Sequence, residues 1–183
     1  CDERQYAADE NILNSTRSTD FITPKSTASR IFRDSVLELA ETLPFARRLV
    51  NSGRLSVPAT LHDSLLNTPD EDLFDTPRLL GSPLPDAPIM VGGRDGWLLR
   101  HLGEQFTILV FGRIPDWVKN MEDVTVLSIG IDLQDEAKLL SKRLDGKDGT
   151  MYLVRPDQHI CARWRQPDEA KIREAMRIAT GNK

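Results

Sequence analysis

Cysteine is nearly absent from this 183-residue chain, and what little there is sits apart: Cys1 and Cys161 only. Without a C-x-x-C pair or any Cys/His ligand spacing, the sequence gives no support for a disulfide scaffold, a zinc site or a dithiol redox site. Cys161 reads as a reduced strand cysteine. No apolar run approaches the roughly 20 residues that a membrane helix needs, and Cys1-Asp-Glu-Arg-Gln5 is no secretory leader. The expectation is a cytoplasmic protein without a membrane partner. The missing initiator Met suggests processing, or a piece of a longer chain. Positive charge is not in excess either. The net charge is −4, with the acidic surplus in residues 1–80, so nothing resembles the footprint of a nucleic-acid binder. A chain of this length can bury roughly 70% of its unfolded surface and needs no covalent staple.

What is present is organised in three stretches. Residues 1–57 read as helical. Asp2 to about Ser15 has helical composition but is too polar to stand alone; Asn14–Asp20 is polar, and Pro24 breaks the pattern. Ser26 or Thr27 can cap a stronger helix, whose Phe32, Val36, Leu39, Ala40 and Leu43 fall on one face. Pro44 suits the first position of a short helix through Val50, ended by Asn51-Ser52-Gly53. Residues 58–88 form a connector: Pro58, Pro69, Pro77, Pro83, Pro85 and Pro88 forbid regular interiors, while Leu61, Leu65, Leu66, Leu73, Phe74, Leu79 and Leu80 pin it down.

Residues 89–183 alternate strand and helix. Trp97–Leu102 is a helical turn, Phe106–Phe111 a strand apolar enough to be covered on both faces, and Pro115–Met121 a short helix. Val124–Ile131 is a second buried strand. Leu133, Ala137, Leu140 and Leu144 make a helix face. Met151–Arg165 is a hairpin hinged at Arg155-Pro-Asp-Gln-His159, Pro presetting the turn. Its second strand alternates Ile160, Ala162 and Trp164 with Cys161, Arg163 and Arg165, the pattern of one buried and one wet face. Pro167, Asp168 and Glu169 open a final helix buried through Ile172, Ala175, Met176 and Ala179. The order β-α-β-α-β-β-α, with a right-handed crossover between the first two strands, predicts an α/β fold: a mixed four-stranded sheet with a thioredoxin-like core.

In such a core the redox site belongs at Gly112-Arg-Ile-Pro-Asp-Trp117, where no thiol occurs. Gly146-Lys-Asp-Gly-Thr150 stands in place of the customary proline. Dithiol exchange is excluded. Val91-Gly-Gly-Arg-Asp-Gly96 lacks the spacing of a phosphate loop and reads as a turn. His62, His101 and His159 are scattered, without an orienting partner for a base, and no G-x-S-x-G supports a serine nucleophile. Arg155, Arg163 and Arg165 with His159 form the one local basic cluster. The simpler reading is an outward strand face that discourages edge pairing; the other is an ion-paired contact with an acidic surface such as another domain. Trp97, Trp117 and Trp164 lie on separate elements, as core or domain-contact residues do.

Two stretches carry a family resemblance. Tyr152-Leu-Val-Arg-Pro-Asp-Gln-His-Ile-Cys-Ala-Arg-Trp164 resembles the hairpin of the C-terminal thioredoxin-like domain of FAD-dependent aromatic hydroxylases, the phenol and hydroxyphenylpropionate hydroxylases among them. Glu10-Asn-Ile-Leu-Asn-Ser-Thr-Arg-Ser-Thr-Asp-Phe-Ile-Thr-Pro24 resembles the helical segment ending their flavin domain. Asp2-Glu3-Arg4 is similar to the pair opening that helix, though Tyr6 stands where proline is common, and Phe45–Gly53 fits the same pattern. The resemblance implies an intact protein in which FAD, reduced by NAD(P)H, activates dioxygen to hydroxylate a phenolic ring. Neither the G-x-G-x-x-G for the ADP part of FAD nor the later G-D segment occurs here. The implied role of this chain is thus non-catalytic: no catalytic, cofactor-binding or metal-binding residue, no cofactor of its own, and a partner in the absent N-terminal flavin domain. A homo-oligomer, supported by this domain, is also implied. Two other readings compete. One is a free-standing thioredoxin-like interaction module using the Arg155/Arg163/Arg165 face or the connector leucines. The other is a thiol oxidoreductase on Cys161, which requires a native thiol that labels rapidly.

Overall fold

The structure, a computed structural model, describes residues 2–50, 58–76 and 79–182. It divides into two compact units, Cys1–Thr60 and Leu61–Lys183. The expected helix stop at Asn51-Ser52-Gly53, and Pro77 of the connector, lie outside the described residues.

The first unit is built from α1 (Asp2–Ile22), α2 (Thr27–Thr42) and α3 (Pro44–Val50). Helix α1 runs a further seven residues past the expected end near Ser15, straight through the polar Asn14–Asp20 stretch. Polar residues with no buried face neither stop nor stabilise a helix. Ser26 caps α2: its Oγ accepts a hydrogen bond from the Ser29 N–H at 3.1 Å. At the other end Arg47 reaches back from α3 and donates to the carbonyls of Ala40 and Glu41, both at 2.7 Å. These are the orphan carbonyls that every helix C-terminus leaves unpaired. Pro44 opens α3 as its composition dictates. Among the described residues of this unit only Val36 and Ala46 are buried, whereas Ile31, Phe32, Phe45 and Leu49 are each more than half exposed.

The second unit centres on a four-stranded mixed sheet of order β4-β3-β5-β6. A small antiparallel hairpin, β1 (Pro88–Val91) and β2 (Arg94–Trp97), precedes it and leads into a 3-10 turn at Leu98–His101. The hairpin is absent from the sequence reading, which saw only its turn. Gly92 and Gly93 do form that turn, both in the left-handed region. Strand β3 (Phe106–Phe111) pairs parallel with β4 (Val124–Ile129) and antiparallel with β5 (Met151–Val154). Strand β6 (Ile160–Trp164) completes the sheet against β5. Helix α4 (Asp116–Lys119) connects β3 to β4, and α5 (Leu139–Arg143) connects β4 to β5. The latter is only a turn and a half. Lys138 takes a left-handed conformation, and Asp135 accepts from the N–H groups of Leu140 and Ser141, so the helix starts late and Leu133 packs from a loop instead. Helix α6 (Glu169–Ala179) closes the chain, with Asp168 as its cap on the Lys171 N–H.

Two cores flank the sheet, as its near-continuous apolar strands require. Ile108, Val110, Met151, Leu153, Ala162 and Trp164 face α4 and α6. Leu109, Phe111, Tyr152, Val154 and Ile160 face the hairpin, α5 and the connector.

Candidate functional site

The alternation expected of β6 fails at Cys161, and its failure organises the most charged part of the molecule. The β5–β6 register shifts between Leu153 and Val154, so Val154 pairs with Ile160 while Leu153 pairs with Ala162. Cys161 is the extra residue of a bulge. Ile160 therefore joins one core, and Ala162 and Trp164 the other. The face carrying Arg163 is not wet, contrary to expectation: Arg163 is 3% exposed.

What covers it is the connector, whose described residues 61–76 and 79–84 run as a strap along the outer edge of β6. The Thr68 N–H donates to the Cys161 carbonyl at 2.8 Å, the Gly81 N–H to the Ile160 carbonyl at 2.7 Å, and the Ile160 N–H to the Ser82 carbonyl at 2.9 Å. Gly81 also receives the Leu61 N–H on its carbonyl at 2.6 Å, in a left-handed conformation where a Cβ would collide with the Leu61 carbonyl. The strap thus crosses itself there, backbone on backbone.

Acidic residues of the strap meet the arginines of β6. Arg163 binds the Asp70 carboxylate with two parallel hydrogen bonds, Nε at 2.9 Å and Nη2 at 2.7 Å, and donates to the Thr76 carbonyl at 3.0 Å. That fork geometry is the strongest ion pair side chains make. Burial opposes the charge on Arg163, and the contacts with Asp70 and Tyr152 together more than offset it, raising its pKa above the ordinary value. Arg165 is held by the Asp145 side chain, the Asp145 carbonyl at 2.6 Å and the Leu73 carbonyl, while its own N–H donates to Asp72 at 2.8 Å. Between the two guanidiniums lies the Phe74 ring, 4.1 Å from Arg163 and 4.0 Å from Arg165. Its edge meets the buried Tyr152 ring, whose hydroxyl donates to the Leu144 carbonyl. The basic cluster is therefore neither an outward guard nor a contact for a separate domain. Its acidic partner is this chain's own strap. Arg155 stands apart at the hairpin tip, paired with Asp157 at 2.7 Å.

Other residues weighed for chemistry are not brought together. His62 contacts Asp63 at 2.9 Å, His159 lies against Asp157 at 3.3 Å, and His101 sits on the 3-10 turn beside Gly96. No group of three His, Cys, Asp or Glu poised for a metal occurs among the described residues. Gly112–Trp117 links β3 to α4 without a thiol. Cys161 is buried in the core shared with Trp164 and α6, its Sγ near the Leu153 carbonyl at 3.4 Å, and burial pushes its thiol up to about 12. A thiol oxidoreductase needs the opposite shift. Trp164 is core, Trp117 half-buried and Trp97 exposed on β2, so no stacking platform forms. Trp97 borders an open groove of about 490 Å³ with Ile89, Arg100 and Gln134. The Gly92–Gly93 turn leads into a strand rather than a helix, so it offers no phosphate cradle. None of the described helices is long and apolar enough to cross a membrane.

Neither a family model nor a curated protein matches this chain by sequence. Solved structures match it in fold. The flavin-dependent monooxygenase PieE, solved with FAD and substrate, superposes with a TM-score of 0.62 at 21% identity over 90% of this chain. The rebeccamycin biosynthetic enzyme RebC, with reduced flavin, gives 0.59 at 19% identity over 99%. OxyS anhydrotetracycline hydroxylase from Streptomyces rimosus gives 0.55 at 19% over 92%. The chain has the fold of part of these flavoenzymes. It spans about a third of their length, 32%, 35% and 32% respectively. Both units take part in the likeness to RebC, since almost the whole chain is covered.

Proposed function

We propose that this chain is the C-terminal portion of an FAD-dependent monooxygenase that hydroxylates an aromatic, phenolic substrate with NAD(P)H and dioxygen, and that the portion itself is structural. In this reading the second unit is a redox-inactive thioredoxin-like domain, and α1–α3 are the end of the flavin domain. The flavin carries the oxygen chemistry when bound, in the part of the protein this chain does not contain. The chain's own residues hold the domain rigid: the Arg163–Asp70 fork and the Phe74 clamp fix the strap, and the strap fixes the edge of β6.

The observation that carries this proposal is the unequal coverage, nine-tenths or more of this chain against a third of each flavoenzyme. The exposed apolar side chains of α2 and α3 support it as well. Ile31, Phe32, Phe45 and Leu49 form more exposed apolar surface than a short soluble helical unit ordinarily leaves. A free-standing module binding partners through its arginines loses its main support, because Arg163 and Arg165 are already engaged within the unit.

The test is the reading frame ahead of Cys1. An open frame encoding G-x-G-x-x-G between a strand and a helix is the expected outcome. A start codon directly before Cys1, with no such fingerprint, would overturn the proposal.

A further inference from the structure

We draw no further inference here: the strongest candidate, the open groove of about 490 Å³ between the β1–β2 hairpin and residues 134–137, is lined by side chains of both charges, Asp95 and Glu136 together with Arg100, and nothing in the structure shows what covers it.

Discussion

At the scale of single residues, Arg163 separates structure from function. Its strand position and charge gave it the profile of a surface residue, yet it is buried with its guanidinium in a two-point grip on Asp70. Removing one partner of a buried pair leaves the other desolvated and alone, and that costs more than the pair contributes. Arg163→Met should therefore lower unfolding stability by about 3 kcal/mol, read from urea melts, with the lost stacking on Phe74 included. Arg173→Met, on an exposed α6 pair with Glu169, should change it by about 0.5 kcal/mol or less. Equal effects would contradict the strap as a structural clamp. Asp157 makes a second residue-level prediction. Burial at the hairpin tip would raise its carboxyl, but hydrogen bonds from His159 and Arg155 hold it well below the usual carboxylate range. Because the folded group titrates below the unfolded one, its contribution is fully present above about pH 4 and disappears as pH falls further. Asp157→Asn should flatten that acid limb of the stability curve and leave the region near neutrality nearly unchanged in slope. An unaltered acid limb would show that Asp157 is not the group responsible.

Among the elements, the strap is the one whose role lay hidden in the primary structure. Its prolines announced an extended path, and of the side chains expected to pin it Leu61, Phe74, Leu79 and Leu80 do so while Leu65 and Leu73 stay exposed; the pairing with β6 depends on contacts across about 90 residues of chain, which no local pattern encodes. The bulge at Cys161 has the same character: binary alternation reads through Cys161–Arg163 without a break, and only the pairing with β5 reveals the extra residue. By contrast, the Pro156 turn, the Ser26 cap, the Pro44 start of α3 and the alternation of strands and helices from β3 to α6 rest on local chemistry and were legible. The helix expected over Leu133–Leu144 was half legible, because Asp135 caps it from within its own apolar pattern. The strap makes a direct prediction at Gly81. Any side chain there meets the Leu61 carbonyl and is strained by the positive φ, so Gly81→Ala should cost about 2 kcal/mol or more. The equivalent change at Gly92, where φ is also positive but nothing lies nearby, should cost about half of that. The comparison of their thermal midpoints isolates the crossing from the backbone strain.

Seen as a whole molecule, the chain joins a well-buried α/β unit to a helical unit in which, among the described residues, only Val36 and Ala46 are buried. One sheet edge carries the strap, and among the described residues the other edge, β4, has no further strand beside it. Among the described residues the three histidines lie apart, and burial pushes the Cys161 thiol up to about 12, the opposite of an activated nucleophile. A structural portion of a larger flavoenzyme accounts for the fold likeness, the unequal coverage and the exposed apolar helices together. Flavin content measures this claim most directly. The product of the whole reading frame containing Cys1–Lys183 should purify with about one FAD per chain, and the 183-residue chain, given free FAD, should retain none after gel filtration. Stoichiometric FAD on the 183-residue chain, or none on the whole product, would contradict the account.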